Sequence, residues 1–561
     1  MTIKKTLCIL LMVAIMLGSA CGPAANHEAD KASEDAHESS KEELPAEKEV
    51  VTIRFGHHNI RGLDPAWRDP VTGEPHMSPE QLRAREKAVE AVLKEHHVKF
   101  EFIEYPSNVR EILLQSVMAN DPVADIVWMF GGSQSMILAQ NVLQPLDDYQ
   151  SLFEDEEYAW MLLDKMFGKH YFLNGQLPFI KSWPLVYNIQ CIEAVDALKE
   201  DGETVYPTDL WKRGEWTFSR FESYLEKIEA FYSNSQAPNR PERRIRAYET
   251  DYRYATLDAL SASGAEIFGE NGLGIDTPEA IGAAMFMDQL MSKGLMWTDR
   301  RDENLPNPGW TWNSRNFANG ETVFTNCAKW MIKSAANKAA ERGQSVGIVP
   351  FPRPDHLSAD DPAYRQTGTI RPTAGILKGV SKERTELAVK SFRTFFSTYF
   401  KALAGTETVS GYKEKYLESE ALNFGLDIFH EKTGPDILEA FGHISDAPLK
   451  DTSLILGLYG KWSLEILGKS LYGLDSSPKY DVAVKEKAGI LEEQLGHLEA
   501  ILKSDKINDN VKPKIEAFNP QPLAFPVGTN PADLDFSELY TASDNIDGPL
   551  DFSTVALNYD G

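Results

Sequence analysis

The sequence predicts an α/β protein built as more than one lobe, and three observations carry this. Between Val51 and Asn141, short β-rich runs alternate with helical periodicity in the order of an α/β layer with right-handed crossovers. At 176–192, "QLPFIKSWPLVYNIQCI", two apolar segments flank Trp183-Pro184 and the texture changes, as where a chain enters a second region. With residues 1–50 set aside, about 510 of the 561 remain, enough for several packed layers and more than one domain.

The elements follow in order. "VTIRFGH" (51–57) alternates and is rich in β-formers, so it reads as the first strand. "SPEQLRAREKAVEAVLKEH" opens with a serine cap and a proline at the first helical position, then keeps helical spacing. "VKFEFIEY" is a second strand and "SNVREILLQSVMAN" a second helix. "ADIVWM" is a third strand, nearly all apolar and so suited to burial on both faces, and "SQSMILAQN" is helical. Beyond 192, "EWTFSRFESYLEKIEAFY" and "TPEAIGAAMFMDQLMSKG" are amphipathic helices, the second capped by Thr277. "ETVFTNCAKWM" reads as a strand ending near Trp330, and "QSVGIVPFPRP" as an extended, proline-punctuated crossing. "GTIRPTAGILKGVSKERTELAVKSFRTFFSTYF" gives a strand, a turn and a helix from Ser381, and the chain to about 505 is mostly helical. The glycine-rich "GENGLG" reads as a loop, and no repeat recurs at a fixed period.

The N-terminus has its own pattern. "MTIKK" is cationic, "LCILLMVAIMLGSA" is apolar but short for a membrane span, and small residues precede Cys21. This predicts a signal peptide over 1–20, in a pattern resembling bacterial lipoprotein leaders, whose cysteine receives a diacylglyceryl group. Residues 21–50 hold almost no apolar bulk and many Glu, Ala, Ser and Lys, the composition of a flexible acidic tether. The formal charge is −27, and loss of Lys4 and Lys5 with the leader makes it −29, which argues against nucleic acid as a partner. Of the four cysteines, Cys8 leaves with the leader and Cys21 takes the lipid. Cys191 and Cys327 remain, either paired or as two buried thiols.

Several pieces together resemble the extracellular solute-binding proteins of ABC importers, in the cluster that includes maltose- and oligosaccharide-binding members. They are "AND-PVADIVWM" with the loop "FGGSQS" and "LQPLDDY"; "LPFIKSWPLVYN", with Tyr187-Asn188 in the usual place; "EWTFSRFESYLEKI"; "FANGETVFTNCAKWM"; and "TGTIRPTAGILKGVSKERTELAVKSFRTF". The resemblance spans roughly 51–500. It implies a type II, periplasmic-binding-protein-like fold of two α/β lobes with a hinge and a ligand cleft. Lobe one would be 51–175 plus about 350–400, lobe two 176–349 plus about 401–505, and 506–561 an extended C-terminal tail. The implied function is capture of a carbohydrate, an oligosaccharide by preference, and its delivery to an ABC importer permease by a monomer held at the extracellular face of the cytoplasmic membrane through its lipid. A sensor of the same fold reporting to a membrane kinase, or a lipid-anchored carbohydrate-active enzyme, are the alternatives.

Sugars present C–H faces and hydroxyl rims, so their sites combine aromatic platforms with planar hydrogen-bonding groups. Loops at strand carboxyl ends line the cleft of an α/β lobe. On that ground Asn59, Trp67, Phe130 and Ser133 are the expected ligand-facing residues of lobe one, and Trp183, Trp330 and Trp462 those of lobe two. Trp462, in "YGKWSLEIL", resembles the family's stacking tryptophan; Trp310 and Trp312 lie in a Pro/Gly-rich loop, and Trp128 reads as core. Arg61 and Arg371, if both reach the cleft, favour an acidic sugar. No metal or cofactor is expected. His57-His58 and His96-His97 are adjacent pairs that point apart along a strand, and "DRRDENLPN" lacks the spacing and glycine of a calcium loop. Neither a Gly-x-Ser-x-Gly elbow nor a phosphate-cradling loop is present, so no catalytic residue is assigned.

Overall fold

A computed structural model describes residues 49–57, 77–105, 109–129, 132–175, 183–238, 240–269, 272–298, 311–366, 373–445, 453, 456–467, 479–504 and 507, and the strand residues 514–517, 540–544 and 548–549. The leader, Cys21 and the tether lie outside them.

The first lobe begins with β1 (Val51–His57) and α1 (Pro79–His96). Ser78 and Gln81 cap α1 reciprocally: Gln81 N–H donates to Ser78 Oγ at 3.3 Å and Ser78 N–H to Gln81 Oε1 at 2.8 Å. There follow β2 (Val98–Glu104), α2 (Val109–Met118), β3 (Ile126–Met129) and α3 (Gly132–Ala139). All of β3 is buried, as its apolar run requires.

The chain then builds a second sheet from β4 (Leu185–Asn188), β5 (Arg246–Glu249), β6 (Met296–Trp297), β7 (Thr322–Asn326) and β8 (Val346–Val349). Between them run α4 (Phe218–Tyr232), α5 (Tyr252–Ala262), α6 (Pro278–Ser292), α7 (Trp312–Ala318) and α8 (Lys329–Ala340). Thr217, Asp251 and Thr277 cap α4, α5 and α6 through their side chains. The run "ETVFTNCAKWM" is therefore not one strand. It stops at Asn326, and Trp330 is the second residue of α8.

From β8 the chain returns to the first sheet as β9 (Thr373–Ile376) and α9 (Lys382–Ala404), capped by Ser381 and closed by Gly405 in the left-handed region. The helices α10 (Val409–Asn423), α11 (Gly434–Ser445) and α12 (Tyr480–Lys503) complete the body. In the tail, β10 (Lys514–Ala517), β11 (Tyr540–Asp544) and β12 (Gly548–Pro549) form a small antiparallel sheet.

The first sheet has the order β9-β3-β1-β2, with β1, β2 and β3 parallel and β9 antiparallel. The second has the order β6-β5-β7-β4-β8, with β5, β6 and β7 parallel and β4 antiparallel to β7 and β8. One core fills the face of the first sheet under α1 and α9, around Phe55, Trp128, Phe392 and Phe396. Asp125, buried at the start of β3, accepts from Arg384 Nε at 2.9 Å and Nη2 at 2.6 Å and from the Arg54 backbone at 2.7 Å, which ties α9 to the sheet. The other core runs through the second lobe and continues to the α2 and α3 face of the first sheet.

Two parts of the C-terminal region depart from the expected placement of 401–505 in lobe two. Val409 and Tyr412 of α10 pack into the lobe-one core. Helix α12 touches both lobes. At its start Tyr480 Oη donates to Ile275 O at 3.0 Å, and Lys479 pairs with Asp288 at 2.8 Å. At its end Asn141, just past α3, donates to Ile501 O at 2.9 Å and Ser504 O at 2.8 Å.

Candidate functional site

The carboxyl ends of β5, β6 and β7 bring together a polar, hydrogen-bonded wall at one end of the second sheet. The register Met296–Tyr248–Phe324, carried on by two residues, sets Thr298, Thr250 and Asn326 side by side across three strands. Asn326 is the hub. Its Oδ1 accepts from Thr250 Oγ1 at 2.9 Å and from the Tyr248 hydroxyl, and its Nδ2 donates to Asp258 Oδ2 at 2.6 Å and to Trp183 O at 3.3 Å. One amide thus fixes β5, β7, α5 and the entry to β4.

Asp251 caps α5, accepting from the Arg253 backbone at 3.0 Å and Nε at 2.8 Å and pairing with Nη2. On the same turn Tyr254 lies flat on Trp183, with ring centroids 4.1 Å apart and planes 12° from parallel. Trp183 is 3% exposed and Tyr254 half-buried, so Tyr254 is the outer member of the pair. Burial, with Asp251 adding and Arg253 and Trp183 opposing, pushes the Tyr254 phenol up to about 12, so it stays a neutral donor and acceptor near pH 7.

The first turn of α7 packs on the same end. Asn313 Nδ2 donates to Asn326 O at 2.7 Å and Thr325 Oγ1 at 3.0 Å, and Ser314 Oγ accepts from the Ala328 backbone at 2.9 Å. Behind this wall Arg243 joins Glu249 at 2.6 Å and Glu321 at 2.5 Å, and Asn316 donates to Glu249 at 2.9 Å. The buried charges of the wall are paired and hydrogen-bonded, as such charges must be.

In the first lobe, His57 ends β1 with its ring 5.9 Å from Trp128, and Trp128 stacks on Phe396 at 5.7 Å, within the core as its strand predicts. Ser133 lies half-buried in the first turn of α3. Beside it Gln134 Nε2 donates to Thr373 Oγ1 at 2.9 Å and joins α3 to β9.

The expected site residues divide accordingly. Asn59, Trp67 and Phe130 lie outside the described residues, as do Arg61, Trp310 and Arg371. Ser133 and Trp183 stand at strand carboxyl ends or strand entries. Trp330 lies in a helix rather than at a strand end. Trp462 differs most: it is 0% exposed, wound into a π-helical turn, inside the second core, with Nε1 donating to Tyr480 Oη at 2.9 Å. Its ring belongs to that core and its one polar group is already satisfied. Cys191 and Cys327 are both free and buried; burial pushes their thiols up to about 11 and about 12. Sequence reasoning missed Tyr254, Asn326, Thr298 and Asn313. The signal for the first was present in "ETDYRY", a polar cap followed by aromatics.

Comparison with known proteins agrees with this architecture. The sequence profile of the bacterial extracellular solute-binding protein family matches residues 87–398, more than half of the chain. No curated protein matches. Among solved structures, the sugar-binding protein MalE from the phytopathogen Xanthomonas citri is similar at 13% identity and a TM-score of 0.50, over 81% of this chain and 100% of that one. An uncharacterized protein from Listeria monocytogenes EGD-e is similar at 12% identity and a TM-score of 0.50, over 79% of this chain and 99% of that one. Both likenesses are of fold: two α/β lobes. On the profile match, the chain belongs to the bacterial extracellular solute-binding protein family.

Proposed function

We propose that the protein is a lipid-anchored receptor that captures a carbohydrate, an oligosaccharide by preference, in the cleft between its lobes and hands it to an ABC importer. The observation that carries the sugar is the wall at the carboxyl end of the second sheet. It sets the Trp183–Tyr254 stack at the end of the sheet where an α/β lobe meets its ligand, with Tyr254 as the partly exposed ring and its phenol a neutral donor and acceptor, the pairing of apolar face and polar edge that a sugar ring requires. The similarity to a sugar-binding protein supports the same reading. Anchoring through Cys21 rests on the leader pattern. Closure of the lobes would do the work of capture, since it excludes water from the polar contacts without a chemical step. The protein acts as a binder and not as an enzyme.

A thermal-shift screen against neutral oligosaccharides, uronate-containing oligosaccharides and short peptides tests this. A ligand that binds only the folded state raises the melting temperature with concentration. A saturable shift with a sugar, the sugar being recovered intact, is the expected result. Shifts with peptides alone, or turnover of the sugar, would refute it.

A further inference from the structure

Three buried polar atoms at the carboxyl end of the lobe-two sheet have no hydrogen-bond partner among the described residues: Thr298 Oγ1, Trp312 Nε1 and Asn313 Oδ1. Thr298 follows β6, beside Thr250, whose backbone N–H donates to Trp297 O at 3.0 Å. Trp312 and Asn313 begin α7, held against the end of β7 by the Asn313 amide nitrogen. The groups around them are satisfied: Thr250, Asn326 and Ser314 each have partners. Trp312 is 2% exposed, yet among the described residues it joins neither hydrophobic core. A buried donor or acceptor left alone costs stability, and most native side chains avoid it. Three such atoms at the end of the sheet where an α/β lobe meets its ligand are explained if the ligand supplies the partners.

We propose that Thr298, Trp312 and Asn313 form a subsite for an uncharged, hydroxyl-bearing part of the solute, with ligand hydroxyls accepting from Trp312 Nε1 and donating to Asn313 Oδ1. The inference rests on the carbohydrate reading above and narrows it. Asn313 Oδ1 is an acceptor and needs a donor, which a carboxylate or phosphate lacks. The same wall buries the carboxyl groups of Glu249, Asp251 and Asp258, and its guanidinium groups Arg243 and Arg253 are bound to Glu249 and Asp251. An anionic group placed here would meet buried carboxylates whose counterions are engaged.

The experiment pairs the near-isosteric Thr298→Val and the smaller-ringed Trp312→Phe with two measurements on the full mature chain. Each variant deletes a polar hydrogen-bonding group and keeps most of the apolar body. Without ligand, Thr298→Val is expected to melt at or above the wild-type temperature, because an unsatisfied group has been removed, whereas Trp312→Phe also loses buried ring volume and is read only by its affinity. With maltotriose, cellotriose, xylotriose and mannotriose as neutral probes and trigalacturonate as the acidic one, wild type is expected to prefer a neutral sugar. Each variant should bind that sugar about 3- to 12-fold more weakly by calorimetry, the size of one hydrogen bond. A lower melting temperature of ligand-free Thr298→Val would show that its hydroxyl is structural and would overturn the subsite, whatever the ligand. Unchanged affinity in both variants, or a wild-type preference for trigalacturonate that both variants weaken, overturns it as well. If wild type binds none of these sugars, the carbohydrate reading falls, and a peptide that binds equally well to both variants ends the subsite with it.

Discussion

Tyr254 and Trp462 show how burial decides what a single aromatic does. Tyr254 is half-buried, with Trp183 behind it, so its removal uncovers the stack without opening a core. Tyr254→Ala is expected to weaken sugar binding by about 1–2 kcal/mol, the worth of an aromatic contact with its buried area, and to leave the fold intact. Calorimetry with the sugar found by screening checks the first part and a melting curve the second. Trp462 carries the opposite expectation. Its ring is enclosed by the second core and its N–H is bound to Tyr480, so Trp462→Ala should cost about 3–5 kcal/mol of stability, measured by urea unfolding. An Ala variant as stable as wild type, but deaf to ligand, would return Trp462 to the cleft where the sequence resemblance put it. The resemblance misled because a pattern of residues around a tryptophan does not say which of its faces the neighbouring helix covers; Tyr480 lies eighteen residues further on.

The elements legible in the sequence were those with their own local signals. Helix α1 has Ser78, Pro79 and Gln81 at its start, and α9 has Ser381 at one end and Gly405 at the other. Strand β3 is an unbroken apolar run. The elements that hold the candidate site carried no such signal. Strands β5 and β6 are four and two residues long, too short for a period to show. Helix α5 is buried nearly all round, so it has no polar face to betray its pitch. The site expected from the sequence and the wall found in the structure both stand at strand carboxyl ends, on partly different residues. Helix α12 was legible as a helix, but its reach across both lobes was not, because that depends on Asn141, some 360 residues away. Asn141 has a φ of 57°, a conformation that glycine also tolerates, so Asn141→Gly removes the two amide bonds without straining the backbone. It should lower stability by about 1–2 kcal/mol and raise hydrogen exchange at the end of α12; unchanged exchange there would mean that the latch is idle. The contact of α1 with α9 brings a pH dependence. His96 Nε2 lies 2.9 Å from Thr394 Oγ1, and burial, opposed by Glu95 and aided by Arg393 and Lys390, holds its pKa below the usual histidine value. Below about pH 6.5 the unfolded chain takes up a proton here that the folded chain refuses, so stability falls with acidification. In urea titrations at pH 7.5 and pH 5.5, His96→Gln should lose less stability than wild type; equal losses would place the dependence elsewhere.

For the molecule as a whole, the proposed anchor through Cys21 can be weighed against other ways of holding a protein at a membrane. Among the described residues no helix is long and apolar enough to cross one. The formal charge of −27, or −29 without the leader lysines, opposes adsorption to anionic lipid. The leader pattern "LGSAC" supports the proposed anchor, in which Cys21 would accept a diacylglyceryl group. Two acyl chains hold by burying methylene groups, and that attraction is insensitive to salt, whereas attachment by charge weakens as the Debye length shrinks. Two experiments follow from the difference. The full chain, expressed in a bacterium that processes lipoproteins, should stay with the membrane through a wash in 1 M salt and leave it in detergent. Cys21→Ala should appear in the soluble or secreted fraction while keeping its affinity for ligand, because the binding wall lies in residues 183–326 and owes nothing to the anchor. Retention of the Ala variant in the membrane would point to an uncleaved leader as the anchor. Release of wild type by salt alone would point to a charged partner. Either result removes the lipid from the account and leaves the cleft as it stands.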